Sequence, residues 1–180
     1  MLEAIALIGP ITLLSLLPAL TAESATEPLM ADLLFGKLSH HIPIHEQIDI
    51  VHQLGFAMAE DGKTLVDSVC GHPLSFTTSI EDLNHDGTHE IFVIAGNTCL
   101  SGSTGSSIWL FIKDQAGQLH QHLGFPAAAY DVLESTQTEF PDLRFAGPGF
   151  CYGIWHWNGS TYEHLRNEPE QPGWCDFYNQ

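Results

Sequence analysis

A short acidic stretch followed directly by an apolar run is the feature that most restricts how this chain of 180 residues can fold. Residues 82–90 read Asp-Leu-Asn-His-Asp-Gly-Thr-His-Glu, and residues 91–95 read Ile-Phe-Val-Ile-Ala. Oxygen-bearing side chains stand at the first, third, fifth and ninth positions, with glycine at the sixth, which is the spacing of a tight loop around a hard cation such as calcium. The stretch therefore predicts a turn between two strands, with a cation site at its tip.

The candidate calcium ligands follow from the spacing of this acidic loop. They are Asp82, Asn84, Asp86, Thr88 through its carbonyl oxygen, and Glu90. Gly87 allows the sharp turn, while His85 and His89 fall between the ligands and are expected to face solvent. The twelfth position, which is a bidentate glutamate in an EF-hand, is Val93, so the EF-hand is excluded. The alternative is a turn of Asn, Asp and Gly without a metal.

The first 22 residues carry an almost unbroken apolar run over residues 4–20, followed by Thr21-Ala22-Glu23. This pattern is typical of a secretory signal peptide with cleavage near Ala22, although Glu3 stands where basic residues are usual. Pro10 and Pro18 interrupt the run, and it is short for a bilayer span, which disfavours a membrane anchor. We therefore expect a periplasmic or secreted protein with no membrane attachment after the leader is removed.

Four cysteines are present, and no two form a C-x-x-C pair, so a zinc ribbon or thioredoxin-like motif is excluded. They are Cys70, Cys99, Cys151 and Cys175. An even number after an export leader predicts two disulfides, with three possible connectivities, and reduced, buried cysteines are the alternative. If Ile80 lies opposite Glu90 in the hairpin, Cys70 falls opposite Leu100 and beside Cys99. This register favours Cys70–Cys99, which leaves the other two cysteines as the second bridge.

The chain carries 22 acidic and 5 basic residues, a formal charge of −17. Such a charge makes nucleic acid or an anionic membrane an unfavourable partner, and suits cations or a basic protein surface. It also serves solubility.

The hydrophobic pattern predicts an α+β fold, mostly antiparallel β-sheet with one N-terminal amphipathic helix and two disulfides. The helix is expected over residues 44–59, after Pro43. Its apolar stripe is Ile44, Ile48, Val51, Gly55 and Ala59. Strands are expected over residues 64–70, 74–80, 91–95, 108–112, 118–123, 130–133, 152–157 and 160–165. Asn158-Gly159 predicts a type I′ hairpin turn. The domain plan is a signal peptide over 1–22, a loose segment over 23–43, in which residues 29–38 could form a short helix, and one compact domain over 44–180.

Residues 101–107 form a stretch of small polar residues beside Cys99 that we tested as a catalytic site. The stretch is Ser101, Gly102, Ser103, Thr104, Gly105, Ser106 and Ser107. It lacks the G-x-S-x-G elbow, and no lysine follows Gly105 to make a phosphate-binding loop. No triad or paired-carboxylate signature stands out elsewhere, so we expect a protein that is not an enzyme.

The acidic loop resembles the D-x-N-x-D-G-x-x-[DE] turns of FG-GAP-type and related extracellular repeats, which supports calcium as a structural ion. Residues 56–162 resemble a group of small exported bacterial proteins that are largely uncharacterised. The shared features are the acidic loop, the C-x-x-G-x-T-G segment at residues 99–105, and residues 147–151 followed by Trp155-His156-Trp157-Asn158-Gly159. Size, export, disulfides and the small-residue loop are also similar to those of the periplasmic immunity proteins that block cell-wall amidases delivered by type VI secretion.

This resemblance implies an inhibitor of a peptidoglycan hydrolase that inserts residues 101–107 into the enzyme's cleft. Charge complementarity with a basic enzyme would accelerate their encounter. The alternative is a calcium-stabilised extracellular module in which exposed Trp155, Trp157 and Tyr162 bind glycan or protein. Trp155 and Trp157 share one strand face, which is more often buried than displayed.

Overall fold

The computed structural model describes residues 22–134, 138–147 and 149–176, with side chains from residue 26 onward. Within these ranges the helices are α1 (Ala22–Phe35), α2 (Ile44–Leu54) and α3 (Thr98–Ser101). The strands are β1 (Ala57–Met58), β2 (Leu65–Val66), β3 (Ser75–Glu81), β4 (Glu90–Gly96), β5 (Ser107–Lys113), β6 (Leu119–Pro126), β7 (Ala129–Val132), β8 (Leu143–Ala146), β9 (Cys151–Trp157) and β10 (Tyr162–Pro169). The predicted leader, apart from Ala22, lies outside the described residues.

All strand pairs are antiparallel, and the predicted fold class is confirmed. Strands β3-β4-β5-β6 form the first four-stranded sheet, and β10-β9-β8-β7 form the second. The short strands β1 and β2 pair separately. No helix in the described ranges is long and apolar enough to cross a membrane.

The first sheet lies between two hydrophobic cores, one shared with the helices and one shared with the second sheet. Along β4, Ile91 and Val93 belong to the core with α1 and α2, whereas Phe92 belongs to the core with the second sheet. Because β4 is buried on both faces, its sequence is apolar throughout rather than alternating. The three layers are therefore helices, first sheet and second sheet.

The segment over residues 23–43, predicted to be loose, is instead largely helical. Helix α1 contributes Met30, Ala31, Leu34 and Phe35 to the core shared with the first sheet. The short helix that the sequence allows over residues 29–38 starts earlier, at Ala22, and its stability comes from packing rather than from its own pattern.

Helix α2 follows Pro43 as predicted but ends earlier, because Gly55 adopts the left-handed conformation that closes it. The predicted apolar stripe is confirmed at Val51, which is buried, and at Ile48, which packs against the core, but it is wrong at Ile44, which is 54% exposed. The buried positions are Glu46, Gln47, Ile50 and Val51. Glu46 is an acceptable buried residue because its carboxylate pairs with Lys113 on β5 at 2.9 Å.

The β3–β4 hairpin differs by one residue from the predicted register: Ile80 lies opposite Ile91, and Glu81 lies opposite Glu90. Cys70 is not in a strand but in a turn, which Gly71 closes by donating its N–H to the carbonyl of Asp67 at 3.0 Å. The predicted strand over 64–70 shrinks to β2.

Both predicted disulfides, Cys70–Cys99 and Cys151–Cys175, are present. The first bridge forms because Asp67 ties two segments together, rather than through strand register. Its carboxylate accepts N–H groups from its own turn and from the Asn97 side chain, which caps α3. Two such bridges are typical of oxidising compartments.

The predicted hairpin after β9 is confirmed, but its turn type is wrong. Trp157 pairs with Tyr162, and Asn158 donates its N–H to Thr161, so Gly159 and Ser160 occupy the centre of the turn. Only Gly159 of these two has positive φ, whereas a type I′ turn needs it at both central residues.

Candidate functional site: the acidic loop and its cleft

The acidic loop, residues 82–90, joins β3 to β4 as predicted, and its backbone is sharply bent. His85 and Gly87 have φ of 59° and 86°, in the left-handed region. His85 and His89 are exposed, in agreement with their positions between the predicted ligands. The bend turns the remaining polar side chains toward the loop's own backbone.

Asp82, Asn84 and Asp86 all direct oxygen atoms into the loop. Asp82 accepts the N–H groups of Asp86 and Gly87 at 3.0 and 3.1 Å. Asn84 accepts from Asp86 N–H at 3.2 Å. Asp86 accepts from Thr88 N–H at 2.6 Å, and this bond contributes most to lowering the pKa of the Asp86 carboxyl. These three side chains are therefore held in place by the backbone that they surround.

Glu90 closes the base of the loop from the first residue of β4. It is 1% exposed, and its Oε2 accepts the N–H of Leu83 at 2.8 Å. Burial, followed by the charges of Asp86 and Asp82, raises the pKa of Glu90 to about 7. A bound cation would reduce the repulsion between this buried carboxylate and the two others beside it.

The loop carboxylates are near one another, but their oxygen atoms do not converge closely enough to coordinate one ion. Among the described residues, the one set of three His, Cys, Asp or Glu ligand atoms within 4.8 Å of one another is Asp67, Cys70 and Cys99. Both of those sulfurs are in a disulfide and cannot serve as thiolate ligands. The residues that would hold calcium remain Asp82, Asn84, Asp86, Thr88 and Glu90, and binding requires their oxygens to draw together.

The predicted partner loop, residues 101–107, is folded onto the sheet rather than extended. Ser101 and Ser107 are both 4% exposed, and their hydroxyl oxygens are 2.8 Å apart. Ser106 donates its hydroxyl to the carbonyl of Ala127 at 2.9 Å. Only Gly102 and Ser103 are exposed, so this loop offers a small rigid tip and not a long insertion.

The expectation of exposed aromatic side chains is also wrong in two of three cases. Trp157 and Tyr162 are 5% and 4% exposed and belong to the core between the sheets, while Trp155 is partly buried. Trp155 packs in parallel on Phe125, with ring centroids 4.7 Å apart, beside a cavity of about 210 Å³.

A cleft of about 600 Å³ adjoins the acidic loop, and the sequence did not predict it. It lies between the acidic loop, the β5–β6 turn and the β9–β10 turn. Its lining includes Glu90, Asp114, His120, His122, Phe140 and Trp157. Volumes of 300–1,000 Å³ are usual for small-molecule sites.

Two histidines on β6, His120 and His122, are ionisable side chains on one wall of the cleft. His120 pairs through Nε2 with Asp114 at 3.0 Å. The β5–β6 ladder shifts by one residue between Leu110 and Phe111, which leaves His122 without a partner strand residue. The His122 ring lies 5.2 Å from the Trp157 ring, and burial, followed by the charge of His120, lowers the pKa of His122. Residues 120–122 read His-Gln-His, and because alternate residues of a strand share a face, the sequence could have predicted two histidines side by side on this wall.

No family model, curated protein or solved structure matches this chain. The resemblances to exported bacterial proteins and to immunity proteins therefore stay predictions.

Proposed function

We propose that this chain is an exported, non-enzymatic binding module whose acidic loop takes up a calcium ion. The observation that carries the proposal is Glu90, a buried carboxylate held 2.8 Å from the N–H of Leu83 at the base of a loop that already orients Asp82 and Asp86. Calcium prefers six to eight oxygen ligands, including carboxylates and carbonyls, and tolerates irregular geometry.

The ion would have a structural role at the tip of the β3–β4 hairpin. Its charge would offset the repulsion among Asp82, Asp86 and Glu90, and it would fix one wall of the adjoining cleft. The two disulfides and the predicted leader support a periplasmic or secreted location, where calcium is more abundant than in cytosol.

Thermal unfolding with calcium and with a chelator tests this proposal. Calcium at about one hundred times its Kd should raise the melting temperature by about 5–10 °C, because binding stabilises the folded chain by about 2.7 kcal/mol. Asp82→Ala with Asp86→Ala should abolish this rise. His89→Ala is the matched control, since His89 is an exposed loop residue at a non-ligating position and should leave the rise intact. A rise undiminished in the double variant would place the ion elsewhere.

A second candidate is the inhibitor of a peptidoglycan hydrolase of the type VI secretion amidase type. The charge of −17 and the rigid tip at Gly102 and Ser103, next to the Cys70–Cys99 bridge, favour it. The inhibitor would then dock this tip on its target rather than insert a long loop. The chain from Glu23 on should capture a wall hydrolase from the periplasm of the producing organism and lower its activity. Capture of no hydrolase would eliminate this candidate.

A further inference from the structure

The start of β9 lies beside a pair of exposed aromatic side chains. Phe150 is 56% exposed and Trp174 is 37% exposed, and their ring centroids are 4.9 Å apart. The other exposed large hydrophobic side chains in the described part of the chain are all aliphatic. Single exposed hydrophobic residues are ordinary, whereas aromatic residues grouped on a surface are typical of sites that contact a partner.

The backbone holds Phe150 at the surface in an unfavourable conformation. Its φ of 55° lies in the left-handed region, which a bulky side chain adopts only at an energetic cost. The carbonyl of Phe150 accepts the N–H of Glu170 at 3.0 Å, which fixes this conformation. Glycine would avoid the cost, and residues strained in this way are concentrated at binding sites.

The Cys151–Cys175 disulfide keeps the two rings beside each other. Each ring belongs to the residue directly before one of the bridged cysteines. Trp174 also donates its backbone N–H to the carbonyl of Gln171 at 3.2 Å, within a turn. The aromatic pair is therefore organised before any partner arrives, which reduces the entropy lost on binding.

Carboxylates accompany the aromatic pair. Glu170 is bonded to Phe150 through its backbone, Asp176 follows Trp174 by two residues, and both acids are exposed. Arg166 is the sole lysine or arginine in the sequence after residue 144. Its Nε donates to Glu168 at 3.0 Å, so this cation is already engaged by an acid. The surroundings of the rings therefore favour a cation and disfavour an anion.

Exposed aromatic faces beside carboxylates match the chemistry of an arginine side chain. A guanidinium over a tryptophan or phenylalanine face is attracted by the ring, and its N–H groups can pair with a carboxylate at the same time. A neutral ligand would gain only from the rings, and an anion would be repelled by the acids. The formal charge of −17 adds long-range attraction for a basic protein.

We propose that Phe150 and Trp174 form a docking surface for an arginine-bearing segment of a basic protein, with Glu170 and Asp176 as its acidic rim. The surface adjoins the first residue of β9, whereas the cleft beside the acidic loop adjoins the last. The inference rests on the binding role proposed above, and it does not require the loop to hold calcium.

Proton–nitrogen NMR of the tryptophan indoles tests the proposal with two synthetic peptides. In one peptide arginine alternates with glycine, and in the other neutral citrulline replaces each arginine. Both are titrated with a calcium chelator at physiological ionic strength, which screens non-specific attraction to the acidic chain. The arginine peptide should shift the Trp174 indole resonance, assigned by its loss in Trp174→Phe, and the citrulline peptide should leave it in place.

Variants of the rings and of the rim should weaken binding of the arginine peptide in a folded chain. Phe150→Gly should weaken it about tenfold, the loss expected for one cation–π contact. The melting temperature should change by less than about 5 °C, because relief of the left-handed backbone offsets the lost ring contacts. Glu170→Gln with Asp176→Asn should weaken binding by a similar factor. Ile44→Ala is the matched control, since Ile44 is 54% exposed but lies on α2, and it should leave binding unchanged.

The proposal is overturned if the arginine peptide does not move the Trp174 resonance, or if the citrulline peptide moves it equally. Unchanged binding in Phe150→Gly would place the peptide elsewhere on the acidic surface and would also overturn it. A larger fall in the melting temperature of Phe150→Gly would show that the ring serves stability instead of docking. Because calcium is absent from this titration, its failure is separate from a failure of calcium to raise the melting temperature.

Discussion

Glu90 is the residue through which pH should act on the acidic loop. An acid whose pKa rises on folding binds its proton more tightly in the folded chain than in the unfolded chain. Folding is then favoured at low pH, and this contribution disappears as pH rises from about 4.5 through about 7. Without a cation, the loop should therefore destabilise the protein progressively over that range.

We expect wild type in a chelator to lose up to about 3 kcal/mol of unfolding free energy from pH 4.5 to 8 relative to Glu90→Gln, because its pKa rises to about 7 on folding. Glutamine retains an oxygen to accept the N–H of Leu83 but does not titrate. Urea unfolding at a series of pH values measures the difference. Saturating calcium should remove most of the pH dependence in wild type, and parallel profiles for the two chains would show that Glu90 is not the titrating group.

Asp67 shows the opposite electrostatic environment at the other end of the first sheet. Hydrogen bonds from the N–H of Cys70 and from the side chain of Asn97 lower its pKa to about 2. Asp67 is 1% exposed, and its carboxylate also accepts the N–H groups of Val69 and His72, so it stays ionised and needs no cation. The pKa values of the two buried acids thus shift in opposite directions, because Asp67 accepts several backbone N–H groups whereas Glu90 accepts few.

At the scale of the elements, strands and hairpins were predictable where side chains alternate or run continuously apolar. The β3–β4 and β9–β10 hairpins were found in this way. The buried face of α2 was not, because Glu46 and Gln47 occupy it through specific partners: Lys113 for the first, and the carbonyls of Ser39 and Ile42 for the second. Periodicity assigns such residues to solvent, since it contains no information about partners distant in sequence.

The end of β4 is closely packed under the folded loop over residues 101–107. A Cβ added at Gly96 would lie 2.7 Å from the Ser101 hydroxyl oxygen, 2.7 Å from the Ser106 Cα and 2.8 Å from the Gly105 carbonyl. Two of these neighbours are backbone atoms and cannot turn aside. We expect Gly96→Ala to lower the unfolding free energy by about 1–3 kcal/mol, measured by urea unfolding.

Gly147→Ala is the control for that change, because a Cβ there has no heavy atom within 4 Å and the residue does not need positive φ. It should alter stability by less than about 0.5 kcal/mol. Equal effects of the two substitutions would mean that the loop yields readily, and a mobile loop would revive the insertion mechanism for the inhibitor.

For the whole molecule, the three-layer order depends on α1, whose packing on the first sheet the sequence pattern did not predict. The run over residues 91–95 predicted a strand but not that both its faces would be covered, which became evident only with α1 in place. The cleft was unpredictable for a related reason: its walls come from three turns separated by tens of residues. Ligand spacing within one loop can be read from sequence, whereas a pocket between loops depends on the packing of the sheets.

The two disulfides stabilise different parts of this assembly, and their removal should separate stability from binding. They close loops with sequence separations of 29 and 24 residues, for which loop-closure entropy gives about 3.5 kcal/mol each. We expect Cys70→Ser with Cys99→Ser, and Cys151→Ser with Cys175→Ser, each to lower the unfolding free energy by about that amount in urea.

Neither bridge touches the cleft beside the acidic loop: the first joins the turn after β2 to α3, and the second adjoins the smaller cavity at Cys151. The rise in melting temperature with calcium should therefore persist in both double variants, starting from a lower baseline. Loss of the calcium effect in the variant without the Cys70–Cys99 bridge would show that the hairpin needs this bridge at its far end to hold the ion. Independence of the two effects would instead mean that the β3–β4 ladder alone, from Ser75 to Glu90, positions the loop.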